Sequence, residues 1–217
     1  AYGTPPYHFA ILTNNSGGHI DPVSGLYTAG EASNVEDTVR VTDSAPSPHH
    51  ADAIVKVLTP LVVTPVNAIV YGGHTLQVQA SGGAGAPYTA TIQTTIGSTI
   101  TPRGLYTAGI ANGTDVVTSQ DPSGTSKTVT ITVKNAIPVD QTADAADGDV
   151  WDGTISLRDA IQYAVAGNLI TFAPALAGQT VTLDHALGYL TVDKAITIDG
   201  EGQNVTISGG DQTSVFR

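Results

Sequence analysis

The chain has 217 residues, among them 24 Gly, 30 Thr, 16 Asp and only 3 Glu, and its formal net charge is −11. That pool describes strands and turns rather than a helical bundle, while 41% hydrophobic residues are enough for a core and exclude wholesale disorder. Eight scattered Lys and Arg make no basic patch, which excludes nucleic acid and anionic membrane surfaces as partners, and the absence of Cys excludes disulfides and thiolate metal sites.

No apolar run approaches the roughly 18 residues of a membrane span, so no membrane insertion is expected. Ala1-Tyr2-Gly3 carries neither an initiator Met nor a signal pattern, so a mature, processed or excerpted chain is expected.

The first predicted elements belong to a repeat. Pro6-Tyr7-His8-Phe9-Ala10-Ile11 and Ile20-Asp21-Pro22 lead to the block Gly25-Leu26-Tyr27-Thr28-Ala29-Gly30 and then to alternating Val39 and Val41. The order recurs as Pro87 to Ile92, Ile100-Thr101-Pro102, an unchanged Gly104-Leu105-Tyr106-Thr107-Ala108-Gly109, and Val129, Ile131 and Val133. Period-two alternation between Gly, Pro, Asn and Asp turns predicts a β-sandwich in each copy. Glycines at the ends of the block suit turns, and Tyr27 and Tyr106 between them read as core or corner aromatics.

The copies differ in length. Before its Pro-Tyr strand the second has Leu61 to Pro65, Ala68 to Gly73 and Thr75 to Ala80, which predict two opening strands with no counterpart in the first. Residues 1–57 are therefore expected to form a sandwich with an uncovered apolar face and an unpaired edge, and residues 58–134 a complete one. The repeated Gly-Leu-Tyr-Thr-Ala-Gly blocks and the Pro-Tyr strands before them resemble bacterial immunoglobulin-like modules, which occur in tandem in large secreted and cell-surface proteins. The resemblance covers about residues 1–134.

Residues 135–152 read as an acidic linker. Asp144, Asp147, Asp149 and Asp152 place four carboxylates within nine residues of it. Oxygen clusters of this kind bind Ca²⁺ and stiffen joints, although the spacing lacks the terminal Glu and fixed Gly of a hand-type loop; the other reading is solvated loop acid. No other cofactor is indicated. Ser156 as N-cap, Asp159 three residues later, Leu157, Ile161 and Ala164 on one face and Gly167 as a stop predict one short amphipathic helix. Arg158 on that helix reads as the partner of a nearby acid or of terminal carbonyls.

Beyond the helix, apolar-Thr-apolar triplets recur at Ile170 to Phe172, Val181 to Leu183, Leu190 to Val192, Ile196 to Ile198 and Val205 to Ile207, with Ser214-Val215-Phe216 last. Short strands at near-regular spacing, with two inward positions and an outward Thr, predict a parallel β-helix over residues 153–217. Ser156-Leu157-Arg158-Asp159-Ala160-Ile161 with the segments 176–183 and 196–202 resembles the N-terminal cap and first coils of the right-handed β-helix family of bacterial surface proteins. That family often has a Cys pair around the cap; Trp151 and Ile155 stand near those places here, so apolar packing is expected to replace the cross-link.

The six His include one adjacent pair, His49-His50, whose side chains point to opposite faces on a strand, so zinc is not expected. Asp193, Lys194, Asp199, Glu201 and Asp211 sit in turns and form no evident catalytic cluster, and no nucleophile or phosphate motif is present. The expected fold is all-β: two immunoglobulin-like sandwiches, the first missing its opening strands, then a capping helix and a short right-handed β-helix.

The expected function is non-enzymatic and extracellular, as a subunit or segment of a bacterial surface fibre or adhesin. Its expected partners are copies of itself joined head-to-tail by strand complementation, or further domains of a larger surface protein; carbohydrate or a host surface are further candidates. The alternative is the start of a β-helix polysaccharide-degrading enzyme or a carbohydrate-binding protein.

Overall fold

A computed structural model describes residues 3–200 and 202–217. Among the described residues the fold is all-β apart from one α-helix and two short 3₁₀ turns. It divides into two compact units, the first made of the described part of Ala1–Val62 with Ser81–Pro87 and Asp121–Thr125, the second of Val63–Ala80, Tyr88–Gln120 and Ser126–Arg217.

In the first unit, β1 (His8–Thr13), β4 (Val35–Thr42) and β5 (His50–Val57) form an antiparallel sheet in the order β1-β4-β5, and β2 (His19–Ile20) pairs with β3 (Tyr27–Thr28). Glu36 and Arg40 stand opposite Lys56 and Asp52 across β4 and β5. Arg40 makes a bidentate pair with Asp52 at 2.7 and 2.8 Å. The inward residues Phe9, Ile11, Val39 and Val41 are only half-buried.

The longer repeat, which lies in the second unit apart from the ends of β6 and β9 at Val62 and Ser81, has β6 (Val62–Thr64), β7 (Ala68–Tyr71), β8 (Thr75–Gln77), β9 (Gln79–Ser81), β10 (Thr89–Gln93), β11 (Thr99–Ile100), β12 (Leu105–Thr107), β13 (Gly113–Gln120) and β14 (Ser126–Lys134). One sheet runs β10-β13-β14-β7, the facing one β11-β12-β8, and β6 pairs with β9. Val70, Val117, Val129, Ile131 and Val133 of one layer pack with Tyr106 and Val78 of the other, each at most 4% exposed. This is a two-layer β-sandwich whose alternating strands point apolar residues inward, as the period-two pattern predicts. β10 to β14 repeat β1 to β5 in order and pairing, and β7 and β8 are the added strands.

After β14 the chain forms β15 (Ala136–Val139), α1 (Leu157–Tyr163), β16 (Leu169–Phe172), β17 (Thr180–Thr182), β18 (Thr197–Asp199) and β19 (Thr206–Ser208). All pairing here is parallel: β15-β16-β18, β17-β19, and a bridge from Leu190 to Phe216. Ile137, Ile170 and Val181 are fully buried, and Thr171 and Thr182 between apolar neighbours point away. Ser156 caps α1 by accepting from Asp159 N at 3.0 Å, and Leu157, Ile161 and Ala164 form its buried face. The helix ends at Tyr163, four residues before the predicted glycine stop. The Lys194 ammonium reaches in to satisfy the carbonyls of Ile161, Gln162 and Ala164 at 2.7 to 3.1 Å. Val165 N then donates to Asn168 Oδ1 at 2.8 Å, which fixes the exit turn.

Candidate functional site

The hexapeptide block carries a polar cluster that recurs in both repeats. In the first, Ser16 and Tyr27 hydroxyls donate to Asp37 Oδ2 at 2.5 and 2.7 Å, and the amides of Asn15 and Ser16 donate to Oδ1 at 2.7 and 2.9 Å. In the second, Tyr106 Oη donates to Asp115 Oδ2 at 2.6 Å and lies 3.1 Å from Ser98 Oγ. Gly30 N and Gly109 N close both clusters by donating to the serine oxygens at 3.2 and 2.9 Å. The hydrogen bond from Ser16, with those from Tyr27 and the two amides, holds the Asp37 carboxyl at about 2 against an ordinary 3.8. Burial and the Asp115 contact push the Tyr106 phenol well above its ordinary value. The tyrosines were legible as corner residues, but the aspartates were not. Their signal is an acid at an inward position of an apolar strand nine or ten residues after each Tyr.

What covers these clusters differs. In the second repeat β7 pairs parallel with Ile131 to Lys134, and β8 pairs antiparallel with Leu105 to Thr107. Val63, Val70 and Val78 from this added stretch join the buried cluster around Tyr106, which is 0% exposed. In the first repeat no strand pairs with the corresponding edges of β5 and β3 among the described residues. Phe9, Ile20, Gly25, Val39, Val41 and Ala53 line an open groove of about 230 Å³ there. The first repeat contributes to neither buried hydrophobic cluster. Tyr27 and the Arg40–Asp52 pair add polar groups to this otherwise apolar lining.

The four linker carboxylates have separate partners. Asp144 makes a bidentate pair with Arg158 at 2.8 and 2.7 Å and accepts from Asp184 N at 2.9 Å. Asp147, Asp149 and Asp152 each accept the backbone N–H two residues on, at Asp149, Trp151 and Thr154 respectively. Among the described residues no three His, Asp or Glu side chains come together to hold a metal ion. Arg158 also donates to the carbonyls of Leu187, Gly188 and Tyr189, tying the helix to the following turn. Ile155 is buried in the cap, whereas Trp151 is 53% exposed and stacks at a tilt on Tyr71 with ring centroids 5.0 Å apart.

His49 lies 3.5 Å from Asp43, and His74 stacks on Tyr163 at 4.1 Å. Glu201 lies outside the described residues. At the far end of the parallel stack, Val192, Ile196, Ile198, Val205, Ile207 and Phe216 line an open apolar concavity of about 620 Å³.

No family model and no curated protein matches the chain. Several solved structures are similar in part. The C-terminal 282-residue fragment of intimin, in complex with the translocated intimin receptor's intimin-binding domain, is 16% identical with a TM-score of 0.42, over 58% of this chain and 50% of that one. The S-layer protein rSbsC(31-844) is 20% identical with a TM-score of 0.29, over 61% and 20%. Extracellular domains 3–5 of Drosophila OTK are 13% identical with a TM-score of 0.40, over 60% and 52%. The chain spans about half or less of these solved chains, and the sandwich described above stands on its own strand pairing. No helix among the described residues is long and apolar enough to cross a membrane.

Proposed function

We propose that the chain is a non-enzymatic structural segment of an extracellular bacterial surface fibre or adhesin. In this reading its two sandwiches are immunoglobulin-like modules, and α1 with the parallel strands is the cap and opening coils of a right-handed β-helix. Modules join head-to-tail, with a strand from outside completing the first sandwich. The observation that carries the reading is the open apolar groove of the first repeat, set against the same face covered by β7 and β8 in the second. The parallel ladders β15-β16-β18 and β17-β19 and the apolar concavity beyond them support a stack that continues by adding layers.

Contacts that join one end to a different surface do not close on themselves and give filaments. Light scattering and electron microscopy of the purified chain test this. The expected result is concentration-dependent linear assembly; a monomer that persists at high concentration overturns the head-to-tail part.

A further inference from the structure

Between α1 and the stretch Leu187 to Lys194 lies a cleft of about 600 Å³, within the size range of small-ligand sites. Two cations tie its walls together. Arg158 of α1 donates to the carbonyls of Leu187, Gly188 and Tyr189 at 3.3, 2.7 and 3.2 Å on the facing stretch. Lys194 of that stretch donates to the carbonyls of Ile161, Gln162 and Ala164 at 2.7 to 3.1 Å on the helix. Walls pinned from both sides leave little to be ordered when a ligand enters.

The same two cations decide what the cleft can hold. A guanidinium has five N–H donors, and those of Arg158 are all taken, two by Asp144 and three by the carbonyls. The three donors of Lys194 are taken likewise, so neither group has one left for a phosphate or carboxylate. Three lining side chains retain their full hydrogen-bonding capacity. The Asp193 carboxylate, the Gln162 amide and the Thr191 hydroxyl are exposed and have no partner among the described residues. Leu187 and Tyr189, 40% and 37% exposed, add apolar surface beside them. Asp144 balances the charge of Arg158 and Asp193 that of Lys194, so the lining favours no ion of either sign.

We infer that this cleft binds a neutral carbohydrate. Sugar hydroxyls donate to Asp193 and exchange hydrogen bonds with Gln162 and Thr191, while the apolar face of a sugar ring packs on Tyr189 and Leu187. The inference is independent of the head-to-tail reading and adds a ligand to the surface role.

The test is amide NMR of the intact isotope-labelled chain, titrated with neutral hexasaccharides of glucose, mannose, galactose and N-acetylglucosamine, and with hexagalacturonate as the anionic counterpart. Saturable shifts are expected with at least one neutral sugar, at the Gln162 side-chain amide and the backbone amides of Thr191 and Asp193. D193A should weaken that sugar about tenfold, as loss of a hydrogen bond to a charged group does, and Q162A by less. Both side chains are exposed and unpartnered, so the two variants should melt as the parent does. No shift with any neutral sugar at about 10 mM, shifts that map elsewhere, or an affinity unchanged in both variants overturns the inference. Preference for hexagalacturonate also overturns it, because a cation would then have a donor to spare. A chain that assembles but binds no sugar keeps the head-to-tail reading and removes this one; a monomer that binds sugar does the reverse.

Discussion

The two repeats share a hexapeptide, a strand order and a Ser–Tyr–Asp cluster, yet one closes over its core and the other does not. Val117 is 0% exposed while the matching Val39 remains half-buried, and Tyr106 is sealed while Tyr27 is not. The difference lies not in β1 to β5 but in three valines and two strand edges supplied by the added stretch. Local sequence is thus sufficient to build the five-strand frame and its polar corner, while burial of its core in the second repeat depends on the added stretch.

Truncating the matched valines should give the largest contrast. Val117→Ala removes two methyl groups from a packed core and should cost about 2–3 kcal/mol, from roughly 0.8 kcal/mol per methylene plus a cavity contribution. Val39→Ala should cost less than about 1 kcal/mol, because its surroundings already admit water. Denaturant melts with a separate spectroscopic probe for each unit measure both. Equal costs would mean that the first repeat is closed in solution.

The hexapeptide's first glycine gives a smaller contrast. Gly25 and Gly104 both have positive φ, so alanine at either should cost about 1 kcal/mol in backbone strain. At Gly104 a Cβ would also stand 2.1 Å from Val78 O of the added stretch, whereas at Gly25 it meets only the Phe9 ring, at 2.8 Å. Gly104→Ala should therefore lower the second unit's melting temperature several degrees more than Gly25→Ala lowers the first's.

Much of this was legible in the residues. The duplicated Gly-Leu-Tyr-Thr-Ala-Gly and the length difference before it exposed the repeat and the uncovered face, because turn glycines and period-two alternation are local properties. The Ser156 cap and the buried Leu157, Ile161 and Ala164 followed from helical spacing, as did the pairing of Arg158 with an acid and with carbonyls. Other features depend on long-range partners. Asp37 and Asp115 read as interruptions of apolar strands until a Tyr hydroxyl is brought to them from nine or ten residues earlier. The helix stops before Gly167 because Lys194, thirty residues downstream of Ala164, takes its last carbonyls. The linker aspartates read as a cluster only while the chain is drawn as a line, since each turns to the amide two residues on or, for Asp144, to Arg158.

Acid separates the two units by smaller effects with distinct windows. Asp37 is held at about 2 chiefly by the Ser16 hydroxyl, below an ordinary 3.8. The unfolded chain takes up that proton first, so this carboxylate's contribution to the first unit is complete above pH 3.8 and fades as pH falls toward 2. His74 behaves in the same direction but earlier. Burial, with Lys194 as a nearby like charge, pushes it below 6.5 despite a backbone contact with Tyr163, and its Nε2 is buried without a partner. Its neutral form stabilises the second unit above pH 6.5, and that contribution is lost as pH falls through the depressed value.

His74 stacks on Tyr163, which meets Tyr71 edge-on at 5.7 Å, and Tyr71 in turn touches Trp151, the single tryptophan. Trp151 fluorescence should therefore begin to change below pH 6.5 while the first unit's Tyr27 and Ser16 resonances hold until about pH 4. His74→Phe keeps the stacking surface and removes the proton site, so it should flatten the earlier transition and leave the later one unchanged. A fluorescence change that survives the substitution would place the titrating group elsewhere in the cap.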